Sequence, residues 1–280
     1  MYAIIVSTVD TAGLAIKKQL LGNFDFKETD KQYKNNEIYT FENFNLYTIN
    51  DLQIYADYLD ELGEEILIFA SRHSSEKGTP SLTTHCIGNW GNTAEMGGKP
   101  RTLVPAVPSL VKNYLVGLQK QKEKNSLNYE VIAEVTHHGA FLTKPSIYIE
   151  VGSSETEWTD ENAALAIAET IMHETNILET NIHETKIGNY KTAIGIGGPH
   201  YHKEFTKLML KTNYAIGHIC PKYALENFDE VMLQKAIKSS LEPVQEIVLD
   251  YKGLGTEKER IMRIVEECKL PVKRIRQISE

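Results

Sequence analysis

Cysteine is scarce in this 280-residue chain, and the three present, Cys86, Cys220 and Cys268, include no Cys-x-x-Cys pair. Neither a disulfide framework nor a cysteine-based zinc finger can be built from them, and a reducing cytoplasm is the expected setting. Positive charge is in deficit too: 30 Lys and Arg face 38 Asp and Glu, for a formal net charge of −8. A surface of that sign does not attract nucleic acid as a whole, so any such partner must meet a local basic patch. Long apolar runs are missing as well. The stretch Met1-Tyr2-Ala3-Ile4-Ile5-Val6 has no basic leader and ends too soon for a signal peptide or a membrane span, so it reads as a first buried strand. No Gly-x-Ser-x-Gly elbow offers a serine nucleophile. Gly195-Ile196-Gly197-Gly198 does not complete the Gly-x-Gly-x-x-Gly fingerprint of dinucleotide sites.

What is present is ordinary globular composition, 41% hydrophobic and 24% charged, enough for a sizeable core in one large or two modest domains. After the strand near 2–8, Asp10 or Thr11 caps a helix through Leu14, Ile16, Leu20 and Leu21 that stops at Gly22. A hairpin over 37–49 turns near Glu42-Asn43. Apolar residues at helical spacing from Leu52 to Leu62 predict a helix, and Ile66-Leu67-Ile68-Phe69-Ala70 predicts a strand buried on both faces. From Ser71 to Pro108 the pattern breaks into a long polar loop. A helix near 109–122 leads to a solvated lysine run at Lys120, Lys122 and Lys124. Strands follow around 131–135 and 147–151, then a helix capped by Thr159 or Asp160, a strand at Lys191–Ile196, a helix through Phe205, Leu208 and Met209, strands at 215–219 and 246–250, and a last helix from Thr256. This alternation predicts a three-layer α/β fold with a largely parallel or mixed sheet. The expected organisation is a single α/β unit over 1–280, with room for two intertwined subdomains.

Residues 173–187 repeat a five-residue unit: His173-Glu174-Thr175-Asn176-Ile177, Leu178-Glu179-Thr180-Asn181-Ile182, His183-Glu184-Thr185-Lys186-Ile187. The spacing is not His-Glu-x-x-His, so we read a duplicated surface insertion rather than a metal motif, one whose deletion is expected to leave activity largely intact.

The other histidines fall at predicted strand ends or in the loops leaving them: His73, His85, His137, His138, His200, His202 and His218. Such positions converge in α/β folds, and with Glu150, placed inside the strand around 147–151, they point to a metal-assisted hydrolytic centre. Imidazole and carboxylate both suit zinc. The candidate ligands are His85, His137, His138, Glu150, His200 and His202, and His73, His137, His138 and Glu150 are candidates for the chemistry itself. Gly139 offers the turn that adjacent histidines need to face one way.

Taken in order, Ser71-Arg72-His73-Ser74-Ser75-Glu76, Leu82-Thr83-Thr84-His85-Cys86-Ile87-Gly88-Asn89, Glu134-Val135-Thr136-His137-His138-Gly139, Glu150-Val151-Gly152-Ser153-Ser154-Glu155-Thr156-Glu157-Trp158, Gly195-Ile196-Gly197-Gly198-Pro199-His200-Tyr201 and Gly217-His218-Ile219 resemble the archaeal and plant type of D-aminoacyl-tRNA deacylase. The resemblance spans nearly the whole chain. It departs in the 173–187 repeat and in Ala140, which stands where proline is expected. It implies a zinc-dependent ester hydrolase that frees tRNA from D-amino acids, with an α/β fold partly similar to peptidyl-tRNA hydrolase and no stable protein partner. Arg72, His218 and the amides of Gly197 and Gly198 are then expected to bind substrate. Lys252, Lys269, Lys273, Arg274 and Arg276, with Arg260, form the densest basic cluster and the expected tRNA-facing surface. Two other readings stay open on sequence: a zinc hydrolase or phosphorylase-like enzyme acting on a small molecule, which the acidic charge suits, and a zinc-stabilised tRNA-binding protein without catalysis.

Overall fold

A computed structural model describes residues 1–182 and 190–278, with side chains up to Thr175 and again from Tyr190. β1 (Tyr2–Ser7) is buried throughout, and Asp10 caps α1 (Thr11–Asn23) by accepting the Gly13 amide at 3.0 Å. β2 (Lys27–Tyr33), β3 (Asn36–Phe41) and β4 (Phe44–Ile49) follow, with the expected turn between the last two. The helix expected up to Leu62 is instead two short 3-10 turns, Gln53–Tyr55 and Asp57–Glu61. Asp57 and Asp60 account for the difference. They accept the backbone amides of Phe141 and Thr143 at 2.7 and 2.9 Å, a tertiary tie that overrides the local helical pattern.

β5 (Ile66–Arg72) pairs with β1 as its apolar run requires. The loop expected from Ser71 to Pro108 contains a strand, β6 (Ser81–Cys86), and a small ribbon of β7 (Gly88–Asn89) and β8 (Thr102–Leu103). Leu82 and Cys86 enter the main core while Thr83 and His85 face the other way, an alternation that the run of threonines conceals. The remaining elements are α2 (Pro108–Lys124), β9 (Glu130–Ala133), β10 (Ser146–Gly152), α3 (Glu155–Trp158), α4 (Glu161–Ile182), β11 (Lys191–Ile196), α5 (Lys203–Lys211), β12 (Tyr214–Cys220), α6 (Glu230–Lys238), β13 (Glu246–Leu249), α7 (Lys258–Glu267), β14 (Val272–Arg274) and α8 (Ile275–Ile278).

The strands form a mixed eight-stranded sheet in the order β2-β3-β4-β1-β5-β10-β6-β9 and a parallel four-stranded sheet in the order β12-β11-β13-β14. α1, α2 and α4 pack together against the large sheet, and α2 also packs on β12 of the small one. One core therefore runs from Ile4 and Val6 through Leu110, Tyr114 and Leu118 to Ile216 and Val248. The far face of the small sheet is covered by Met232 and Leu233 of α6 and Ile261 and Val265 of α7. Among the described residues no helix is long and apolar enough to cross a membrane.

The repeat does not begin as surface filler. Its first unit continues α4: Glu174 and Thr175 are buried, Thr175 meets the Tyr114 hydroxyl at 2.7 Å, and His173 lies exposed beside the Phe24 ring. His183 and the third unit fall outside the described residues.

Two histidines expected at the site belong to the framework. His202 caps α5: its Nδ1 accepts the Phe205 amide and its Nε2 donates to the Gly197 carbonyl, both at 3.0 Å, so neither nitrogen is left for a metal. His218 is buried with Nδ1 3.2 Å from the Thr136 hydroxyl and Nε2 3.1 Å from the Ser239 hydroxyl. Thr136 Oγ1 also accepts the Ile219 amide at 3.0 Å, so each His218 nitrogen faces one hydroxyl that can give or take a proton and the ring is satisfied by one donated and one accepted hydrogen bond in its neutral form. His218 is thus a neutral tie rather than a substrate contact.

Burial drives the His218 pKa down to about 4, against about 6.5 in an unfolded chain. Between these values the unfolded chain binds the extra proton, so the stabilisation is complete above pH 6.5 and is lost as pH falls towards 4. The full interval corresponds to about 3 kcal/mol. Denaturant unfolding at neutral pH and near pH 4.5 checks this. The native chain should lose about 2 kcal/mol more than a His218→Gln variant, and equal losses would show that His218 titrates normally.

Candidate functional site

The site rests on one face of β5, β10 and β6. Pairing across these strands sets Phe69, Tyr148 and His85 in one row and Ser71, Glu150 and Thr83 in the next, and side-chain alternation puts both rows on the same side. His73 extends the β5 set beyond Ser71, where Gly152 makes room: a Cβ there would sit 2.7 Å from the His73 ring. Ser71 donates to Glu150 Oε1 at 2.7 Å, and Tyr148 stacks on Phe69 and on His85 with ring centroids 4.8 and 5.0 Å apart.

The chain leaving β9 brings the other groups. Over 134–138 it is held between the two sheets: the Glu134 amide donates to the Thr84 carbonyl, the Thr136 amide to that of Ile219, and the Val135 amide to that of His200. His138 (φ 26°) and Gly139 (φ 101°) then make the expected turn. Glycine is required at 139 for its backbone and for space, because a Cβ would lie 2.5 Å from Ile87 Cγ2. His137 and His138 consequently both reach His85, with ring centroids 4.2 and 5.0 Å away.

Three overlapping groups result: His85, His137 and His138; Glu134, His137 and His200; His73, Glu134 and Glu150. Within each, the ligand atoms lie within 4.8 Å of one another. Glu134 Oε2 is 2.8 Å from His200 Nε2 and 3.6 Å from His137 Nε2, while His73 Nδ1 is 3.3 Å from Glu134 and 3.6 Å from Glu150. His85 Nδ1 and His137 Nδ1 donate to the carbonyls of Cys86 and Val135 at 3.0 and 2.8 Å. That fixes both tautomers with Nε2 bare, the second contact that orients metal-binding imidazoles. Among the described residues, the buried atoms of this cluster without a hydrogen-bond partner are Thr83 Oγ1, His85 Nε2, His138 Nδ1, Tyr148 Oη, Glu134 Oε1 and Glu150 Oε2, the two carboxylate oxygens facing His73 Nδ1 at 3.3 and 3.6 Å.

Burial, reinforced by neighbouring imidazoles, holds His137 well below the usual histidine range and His138 at about 4, so both are neutral at pH 7. Burial raises the carboxyls of Glu134 and Glu150, yet the facing histidines more than offset it and hold both below the usual range. His73 and His85 move upward, because the carboxylates outweigh the effect of burial. Neutral imidazoles beside ionised carboxylates are the forms that bind a cation.

A cleft of about 450 Å³ opens on the cluster, lined by Arg72, His73, His137, His138, Glu150 and His200 and walled by Leu52, Ile54 and Met96. A second of about 740 Å³ shares His200 and Tyr201 with it, and a third of about 490 Å³ shares His137 and His138. Arg72 lies over the Trp158 ring at 5.1 Å. The expected amide donor at Gly197 is not free, since it donates to the Cys220 carbonyl at 2.8 Å, and Gly198 turns closely past His202 and Asp250. Arg260 is committed to Glu257 and to the carbonyls of Phe228 and Leu225. Lys252, Lys269, Lys273, Arg274 and Arg276 are exposed. Arg274 ends β14 opposite Leu249, whose own neighbour Ile196 leads into the turn carrying His200, so the basic tail shares an edge with the site. Tyr251 under Arg274 and the exposed Tyr223 beside His200 add aromatic surface there.

Glu134 is the ligand candidate that sequence reasoning passed over. It opens the segment Glu134-Val135-Thr136-His137-His138-Gly139, three residues before His137, without being among the residues expected to bind metal.

A family model for D-aminoacyl-tRNA deacylase matches residues 61–273. Curated proteins named D-aminoacyl-tRNA deacylase are similar throughout: that of Thermococcus onnurineus is 42% identical over 95% of this chain and 97% of its own, and that of Pyrococcus furiosus 40% identical over 94% and 95%. A crystal structure described as a conserved protein of unknown function superposes with a TM-score of 0.86 at 33% identity, covering 99% of this chain and 96% of that one. With a match over most of its length and relatives at this level of identity, the chain belongs to the D-aminoacyl-tRNA deacylase family.

Proposed function

We propose that the chain hydrolyses the ester joining a D-amino acid to the terminal ribose of tRNA in the cytoplasm, and that it does so with bound zinc. The observation that carries this reading is the set of buried ligand atoms with no hydrogen-bond partner among the described residues, His85 Nε2, His138 Nδ1 and Glu134 Oε1, inside a nitrogen and oxygen donor set that suits zinc. His85, His137, His138, Glu134 and His200 would hold the ion. When bound, it supplies Lewis acidity and acidifies a water molecule.

Glu150, a sequence candidate both for metal binding and for the chemistry, is assigned the proton, because it lines the 450 Å³ cleft while Glu134 does not. Its Oε2 takes a proton from the attacking water, and His73 Nδ1, 3.6 Å away, shares it. The water oxygen bonds to the ester carbon and the carbonyl electron pair moves to its oxygen. As the carbonyl re-forms, the ribose oxygen leaves with its bonding pair and recovers the proton from His73. Tyr201, against His73 Nε2, fixes the ring. Leu52, Ile54 and Met96 shield the reacting atoms from bulk water. The tRNA body lies along the edge carrying Lys252, Lys273, Arg274 and Arg276, where cations and aromatic rings alternate as nucleic-acid surfaces do.

Purified protein is expected to contain zinc by elemental analysis and to lose hydrolysis of D-aminoacyl-tRNA on chelation; metal-free protein with full activity would refute the metal. His85→Ala should lose both the metal and activity. Glu150→Gln should keep the metal while kcat falls by about 10²–10⁴, and loss of zinc in that variant would return Glu150 to the ligand set. Neutralising Lys273 and Arg274 should weaken tRNA binding and reduce its salt slope by about 0.7–0.9 for each phosphate no longer neutralised. Hydrolysis of a short aminoacyl-adenosine should be unchanged, and equal loss on both substrates would show that the patch supports the fold rather than the tRNA.

A further inference from the structure

Tyr148 stands out among the groups that the scheme above leaves unused. Its ring is fixed on both sides, nearly parallel to His85 (3°) and to Phe69 (18°), with His138 edge-on at 5.5 Å. Its hydroxyl is buried and has no hydrogen-bond partner among the described residues, and Tyr148 is one of the residues that line the 450 Å³ cleft. A buried hydroxyl without a partner weakens a fold. Phenylalanine, already used beside it at Phe69 in the same row, would carry no such penalty. Two other neutral donors on the same wall are committed: Ser71 donates to Glu150, and the Gln53 amide to Asp10 and the Ala70 carbonyl.

Position adds to this. Tyr148 and Glu150 are two residues apart on β10 and face the same way, so their side chains rise about 7 Å apart along the strand. An ester carbon between them has a proton acceptor on one side and an unspent O–H on the other, the spacing that acyl transfer needs.

The geometry points to Tyr148 as the hydrogen-bond donor to the carbonyl oxygen of the scissile ester. This rests on the deacylase reading above. As the water oxygen bonds to the ester carbon, the carbonyl pair becomes an oxyanion and the Tyr148 O–H donates to it. The phenol keeps its proton, and the bond weakens again when the carbonyl re-forms and the ribose oxygen departs. An interaction that strengthens only as charge develops acts on kcat rather than on KM.

Tyr148→Phe removes one oxygen and keeps the stacked ring. With D-tyrosyl-tRNA as substrate, the variant should lose about 10²–10³-fold in kcat with KM within about twofold. Its zinc content should match the native protein and its melting temperature should be equal or higher. A kcat within twofold of native overturns the inference, as does a loss confined to KM, which would make Tyr148 a ground-state contact such as one to the substrate amine. Reduced zinc or a lower melting temperature would overturn it too, by showing that the hydroxyl serves the fold or the ion. Failure of the native protein itself to hydrolyse the substrate would remove the deacylase reading and the inference with it, and is distinct from an active native protein beside an equally active variant.

Discussion

Glu134 and Glu150 are withdrawn almost completely from water, and an ionised carboxylate in that position costs several kcal/mol unless opposite charge and hydrogen bonds answer it. Much of the surrounding design follows from meeting that cost. His73 lies between the two carboxylates, His200 and His137 face Glu134, and Ser71 and His85 face Glu150. The answer remains incomplete, because one oxygen of each carboxylate and one nitrogen each of His85 and His138 have no hydrogen-bond partner among the described residues. A protein that needed only stability would fill these rows with apolar side chains, as the reverse face of β10 does with Ile147, Ile149 and Val151.

Much of the architecture was legible because buried strands and capped helices leave strong local marks. Asp10 before α1, the apolar run of β5 and the turn at Gly139 all behave as their residue types dictate. What escaped depends on partners distant in sequence. β6 reads as loop because Thr83, Thr84 and His85 interrupt its apolar pattern, and only its place between β10 and β9 makes those residues buried. Asp57 and Asp60 look like the polar face of a helix until the backbone of 141–143 claims them.

Among the histidines, strand-end position groups residues that the structure separates. His85, His137, His138 and His200 converge with Glu134, whereas His202 and His218 sit within the same neighbourhood and spend both nitrogens on the framework. Residue type and strand-end position are identical in the two sets. The difference lies in whether a backbone amide or a hydroxyl happens to stand within reach of the ring, which is a property of packing. Glu134 shows the converse: a carboxylate that sequence did not single out as a ligand becomes central because the 134–138 segment is drawn between two sheets.

The sharing of α2 by both sheets bears on how the molecule can move. Leu110, Tyr114 and Leu118 belong to one continuous core that reaches from β1 to β12, so no plane of weak contacts separates the halves for a hinge to follow. Opening one sheet away from the other would expose that core and break the amide ties of residues 134–136 in the same event. Any large substrate must come to the cluster from outside, through clefts that are already open, rather than through a jaw that closes on it.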